Sequence, residues 1–92
     1  MSASEYGLHG RPVNLTATGQ VSSAGRAANL VGFYVNSTSS GTIVLRNGSS
    51  SGTAISGTIT PAIGWHAFPA ACENGVHATL GGTIDVTFFV KG

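Results

Sequence analysis

Apolar and polar residues alternate along most of this chain with the two-residue period of a β-strand. The alternation is clearest near the end, where Ile84, Val86, Phe88 and Val90 lie on one side of an extended chain. Similar runs recur about every 8–12 residues, a spacing typical of antiparallel β-proteins. About seven short strands are predicted, covering residues 13–18, 30–35, 42–46, 54–60, 65–69, 76–80 and 83–90.

Turn-forming residues separate the predicted strands. Residues 36–41 predict a loop, and the pairs Asn47-Gly48 and Gly81-Gly82 are typical of hairpin turns, which need positive φ angles. Residues 70–73 allow at most one helical turn, closed by Asn74-Gly75. No longer helix is expected, because Ser, Thr, Gly and β-branched residues are poor helix formers.

The alternation assigns one set of apolar side chains to the core. In residues 30–35 both faces are apolar, and we assign Val31, Phe33 and Val35 to the core and Leu30 and Tyr34 to the opposite face. Gly32 leaves a gap on that opposite face, where another backbone or an aromatic ring can approach. The predicted inward set is Leu15, Val31, Phe33, Val35, Ile43, Leu45, Ile59, Val76, Leu80, Ile84, Val86 and Phe88.

These patterns predict an all-β fold, either an antiparallel β-sandwich or a jelly-roll-like small barrel. The 92 residues are enough for one domain. We divide the chain into an N-terminal arm, residues 1–12, and a β-sandwich domain, residues 13–92. The arm lacks the two-residue period, and its Tyr6 and Leu8 offer apolar contacts to a neighbouring subunit.

Charge is scarce and scattered. Lys, Arg, Asp and Glu make up 8% of the residues, against roughly 25% in ordinary soluble domains. The four cations form no basic stripe, so we expect no nucleic-acid partner. One cysteine cannot form a disulfide within its own domain. Neither a signal peptide nor a membrane span is expected, which favours synthesis in a cytosol.

Residues able to carry out chemistry are few. Cys72 has His66 and His77 nearby in the sequence, but a Cys–His pair needs hydrogen-bond reach and a third group that orients the histidine. The histidines lack paired metal-ligand spacing, so we expect His66 and His77 to be partly exposed side chains and not metal ligands. A single histidine from each of three copies around a threefold axis is another route to a metal site. We therefore expect a non-enzymatic protein with no cofactor and no metal.

Three aromatic residues, Tyr34, Trp65 and Phe89, are predicted to point outward. On a charge-poor domain, outward aromatic side chains most often belong to a protein interface. A sugar-binding face that combines Trp and Tyr with polar neighbours is an alternative. A stacking platform for single-stranded nucleic acid would need more Arg and Lys than the chain contains.

Four segments of the chain, residues 32–37, 41–45, 58–65 and 73–90, resemble small structural proteins of tailed bacteriophages. The most specific of them is ENGVHATLGGTIDVTFFV, residues 73–90. The resemblance implies a small β-sandwich on the head surface, of the capsid decoration or cement type. Such proteins typically form dimers or trimers and bridge neighbouring subunits of the major capsid protein.

We therefore expect a virion protein on the head surface, made in the cytoplasm of the host bacterium. Contacts with the major capsid protein or other virion subunits are expected from Tyr6, Leu8, His9 and Arg11 in the arm, together with the outward aromatic residues. Two alternatives stay open. One is a structural module of the neck, tail or fibre, and the other is a carbohydrate-binding β-sandwich module.

Overall fold

Two long antiparallel strands form the framework of the molecule. The computed structural model describes residues 10–92. These residues form six strands: β1 (Arg11–Leu15), β2 (Gly19–Gln20), β3 (Ala28–Asn47), β4 (Thr53–Ala54), β5 (Gly64–Cys72) and β6 (Val76–Lys91). β3 and β6 pair from Asn29 opposite Lys91 to Asn47 opposite Val76. The prediction of an all-β, antiparallel fold is confirmed.

The single sheet folds over on itself. A strand of 20 residues such as β3 would be about 65 Å long if it were straight. The longest dimension of the molecule is only 36 Å, so β3 and its partner β6 must bend back. We call the part built from β1, β5, residues 28–38 and residues 84–91 the large layer. The small layer contains β2, β4, residues 42–47 and residues 76–81.

The bend is located where β3 and β6 both change register. The pairing shifts between Ser39 and Thr42, and there Ser40 has a φ of 55° while Gly82 on β6 has a φ of 66°. A Cβ atom on Gly82 would collide with the Ser40 carbonyl oxygen, and one on Gly41 would lie 2.6 Å from the Ile84 Cβ. Positions 41 and 82 at this corner therefore require glycine, because neighbouring atoms leave no space for a Cβ atom. The predicted loop at residues 36–41 and the predicted hairpin at Gly81-Gly82 were wrong, since both lie inside continuous strands.

The core lies between the two layers. Most of the predicted inward residues are buried, and Leu15, Ile59 and Leu80 pack against the core as partly buried side chains. Leu30 and Val31 are exchanged relative to the prediction: Leu30 is buried and Val31 is half-buried. The cause is a register shift between Leu30 and Gly32, which inserts an extra residue into β3 and reverses the faces.

Three further predictions concern residues 54–73. The strand predicted at residues 54–60 is reduced to β4 and one bridge between Ile43 and Ile59. The helical turn predicted at residues 70–73 was wrong, because β5 runs on to Cys72 and a tight turn then leads to Gly75. Among the described residues β5 pairs only with β3, so Pro69 lies in an edge strand as predicted. Within residues 10–92, no helix is long and apolar enough to cross a membrane.

Candidate functional site

The three aromatic residues predicted to point outward lie together on the outer surface of the large layer. Tyr34 on β3 is directly opposite Trp65 on β5, and Phe89 on β6 is opposite Gly32 on β3. The alternation of β3 and β6 turns their neighbours Phe33 and Phe88 into the core and leaves the three rings outside. Tyr34 is 44% exposed and Trp65 is 49% exposed. We call Tyr34, Trp65 and Phe89 the aromatic face.

Gly32 makes room for the Trp65 ring, which occupies the gap that the sequence predicted at this position. A Cβ atom on Gly32 would lie 2.7 Å from Cη2 and 2.8 Å from Cζ2 of the indole. The same atom would lie 2.5 Å from the carbonyl oxygen of His66. Because residue 32 has no side chain, the indole lies over β3 and reaches Phe89 on the far side. The Trp65 and Phe89 ring centroids are 5.6 Å apart in an edge-to-face arrangement.

A row of polar side chains continues the aromatic face across the large layer. Asn14 on β1 is opposite Thr87 on β6, and Asn36 on β3 lies on the same outer surface. The Nδ2 atoms of both asparagines donate to Oδ1 of Asp85, over 2.7 Å from Asn14 and 3.1 Å from Asn36. They also donate to Oγ1 of Thr87, over 3.3 and 3.0 Å respectively. We call Asn14, Asn36, Asp85 and Thr87 the polar row.

The aromatic face and the polar row meet in a shallow groove of about 410 Å³. The groove is lined by the three aromatic residues together with Asn36 and Thr87. No lysine or arginine from residues 10–92 lines it, and the nearby Asp85 carboxylate already accepts two hydrogen bonds. The Oδ1 atoms of Asn14 and Asn36 accept none from the described residues. The site therefore offers aromatic surface and uncharged acceptors, which suits a partner that carries apolar groups and hydroxyl or amide donors.

The remaining predicted contact residues belong to the N-terminal arm. Arg11 begins β1 at one end of the large layer and does not line the groove. Tyr6, Leu8 and His9 lie outside the described residues. Arg11 and Pro12 pair with Val90 and Phe89, so the sheet begins two residues before the predicted boundary at residue 13.

Cys72 and the histidines are separated by the fold. Cys72 pairs with Ala28, His66 with Phe33, and His77 with Arg46 and Gln20 in the small layer. Burial raises the pKa of the Cys72 thiol, which keeps it protonated and weakly nucleophilic. Across residues 10–92, no three His, Cys, Asp or Glu side chains come together as metal ligands would.

Of the two histidines within residues 10–92, His77 is buried and His66 is half-buried. His77 is 4% exposed, and its Nδ1 atom has no hydrogen-bond partner among the described residues. Its pKa is lowered mainly by burial and further by the positive charge of Arg46. The sequence indicated two partly exposed histidines, and burial of His77 departs from that expectation.

The polar row was not predicted as a unit. The alternation placed Asn14, Asp85 and Thr87 on outward positions, but Asn14 and Asp85 are 71 residues apart in the sequence. Only the pairing of β1 with β6 brings them together. The available signal was the amide and carboxylate residues on outward positions of strands next to the aromatic residues.

Comparison of the chain with known protein families, with functionally characterised proteins and with solved structures found no match.

Proposed function

We propose that this protein is a non-enzymatic structural subunit that binds a neighbouring protein through its aromatic face. The observation that carries the proposal is the clustering of Tyr34, Trp65 and Phe89 in one groove of a charge-poor domain, where no charged side chain from residues 10–92 lines the groove. The cores of protein interfaces are enriched in Tyr, Trp and Phe and depleted of charged residues. The resemblance to small phage structural proteins supports a virion as the setting and the major capsid protein as the partner.

Decoration of a capsid gives this face a physical task. Contact between the aromatic face and the seam between capsid subunits removes apolar surface from water. Each contact is modest, but a lattice repeats it many times, and a dimer or trimer would bind through several faces at once. Such binding favours the assembled shell over separated subunits, which is how a cement protein stabilises a head.

Removal of the Trp65 ring tests the proposal. The substitution Trp65→Ala should weaken co-sedimentation with expanded capsids by about tenfold or more, because central tryptophans are frequent binding hot spots. Ile63→Ala is the matched control: Ile63 is 63% exposed, is close in sequence and does not line the groove. The proposal is wrong if both variants bind like the original protein, or if the original protein binds no capsid protein at all.

Copy number separates the head from other virion locations. A decoration protein is present in many copies per virion, in proportion to the number of capsid subunits. A neck, tail or fibre module is present in few copies. Quantitative gel analysis of purified virions distinguishes these locations, and sedimentation of the isolated protein tests whether it forms the proposed dimer or trimer.

Carbohydrate binding is the second candidate, and the polar row is the observation that favours it. Sugars combine apolar C–H surfaces with hydroxyl groups, which match aromatic rings beside free Asn Oδ1 acceptors. Trp65 is the only tryptophan, so saturable quenching of its fluorescence by oligosaccharides reports directly on the groove. Quenching that is lost in Asn36→Ala would support this candidate and argue against the capsid interface.

A further inference from the structure

A second cleft lies at the open end of the sandwich, away from the aromatic face. β1 begins there with Arg11, β3 begins with Ala28, and Gly92 follows the end of β6. Residues 21–27 cross from the small layer to β3 and complete the wall. The cleft has a volume of about 370 Å³ and is lined more by polar than by apolar atoms.

Two of the four cations of the chain line this cleft. They are Arg11 and Arg26. Arg11 shares the inner side of β1 with Val13 and Leu15, which pack against the core, so it lies at the mouth of the space between the layers. No acidic side chain from residues 10–92 lines the cleft. Positive charge is therefore concentrated here on a molecule that is otherwise nearly neutral.

Ser22 is a buried polar residue among those that line the cleft. It is 8% exposed, and its Oγ atom accepts the backbone N–H of Val76 over 2.8 Å. The backbone N–H of Ser22 in turn donates to the Val76 carbonyl over 3.1 Å, which fixes the residue in place. Among the described residues, its hydroxyl proton has no acceptor. A hydroxyl that accepts one hydrogen bond is polarised to donate another.

We propose that this cleft binds an oxyanion of the phosphate type. Two guanidinium groups can form paired hydrogen bonds to tetrahedral oxyanions, and the Ser22 hydroxyl supplies a further donor from the buried wall. The apolar Ala28 at the base of the cleft reduces the competition from water. The ligand is inorganic phosphate or a phosphate group carried by a larger molecule, since both present the same oxygens. This inference does not depend on the capsid or carbohydrate proposals.

Phosphate titration followed by NMR tests the cleft. Inorganic phosphate added to the full chain should shift the amide signals of Ser22, Ser23 and Ala27 saturably, with a Kd of about 1 mM or below. Arg26→Gln should weaken the binding by about tenfold or more, because charge-assisted hydrogen bonds are lost. Unchanged signals from β6 would show that the variant is folded.

Lys91→Gln is the matched control. It removes the same charge one residue from Gly92, but Lys91 lines a different cleft with Asn29 and Pro69. Phosphate affinity should stay within about twofold of the original, since a solvent-screened charge outside the cleft contributes little. Competition by phenyl phosphate for the same signals would support a site for phosphate groups on larger molecules, and lack of competition would support free phosphate.

Three results would overturn the proposal. The first is shifts that grow linearly with phosphate and never saturate. The second is an equal loss in Lys91→Gln and Arg26→Gln, which would indicate general charge attraction. The third is tighter binding of a single-stranded oligonucleotide with equal losses at Arg26, Arg46 and Lys91, which would indicate a nucleic-acid backbone contact.

Discussion

At the residue scale, Gly32 determines how the aromatic face is arranged. Its missing side chain leaves space that the Trp65 indole occupies, and this places the ring against Phe89. The gap was visible in the sequence, because a lone glycine inside an otherwise apolar strand indicates a close approach. Which ring would enter it was not visible, since the pairing of β5 with β3 decides that.

The substitution Gly32→Ala should therefore destabilise the protein by about 1–3 kcal/mol, the usual cost of overpacking. The new Cβ would meet the His66 carbonyl oxygen as well as the indole, so rotation of Trp65 alone cannot relieve the contact. Urea unfolding measures the loss, and Trp65 fluorescence reports the displaced ring. Gly57→Ala is the control, because a Cβ there has no atom within 4 Å. Equal stabilities of the two variants would contradict this account.

His77 makes the stability depend on pH. Its pKa in the folded protein is lowered by burial and by Arg46, so below its ordinary value of 6.5 the unfolded chain binds the proton more readily than the folded one. Stability should therefore fall as pH decreases below 6.5, until the folded-state pKa is passed.

Urea unfolding at neutral pH and near pH 5, which is about 1.5 units below the ordinary histidine value, measures this loss. The substitution His77→Gln should remove this dependence of stability on pH. The control substitution His66→Gln leaves His77 in place, so the dependence of stability on pH should remain. If the stability of His77→Gln still falls at the lower pH, another titratable group causes the effect.

At the element scale, β3 and β6 each belong to both layers. Sequence patterns divided each of them into two short strands, because residues 36–41 and Gly81-Gly82 have the composition of turns. Ser, Thr and Gly also suit a strand that bends, and here residues 37–39 pair with residues 83–85 while Gly81 pairs with Thr42. Local composition therefore located the corner correctly but could not distinguish a bend within a strand from a loop between strands.

Close packing at this corner should make Gly82 more sensitive to substitution than Gly25, which also has a positive φ. Gly82→Ala combines a φ of 66° with a collision against the Ser40 carbonyl. Gly25→Ala has a φ of 85° but open space around the new Cβ. We expect a loss of about 1 kcal/mol at Gly25, from backbone strain alone, and a clearly larger loss at Gly82. Thermal unfolding compares the two, and equal losses would mean that the close approach adds nothing.

At the scale of the whole molecule, both candidate sites depend on contacts between distant parts of the chain. The alternation predicted which aromatic residues point outward, and the structure gathers them on one surface. It could not predict that Arg11 and Arg26 line one cleft, because that requires residues 21–27 to reach the end of the large layer. The four cations are scattered along the sequence and form no basic stripe, yet two of them line the same cleft in the folded protein.

The folded-over sheet also has a mechanical consequence. In a sandwich made of two separate sheets, the layers are held mainly by side-chain contacts and can slide or part. Here the backbones of β3 and β6 run from one layer to the other and pair with each other on both sides of the bend. A force applied to one layer is therefore transmitted to the other layer through the covalent backbones of β3 and β6. A shear load consequently acts on both layers together.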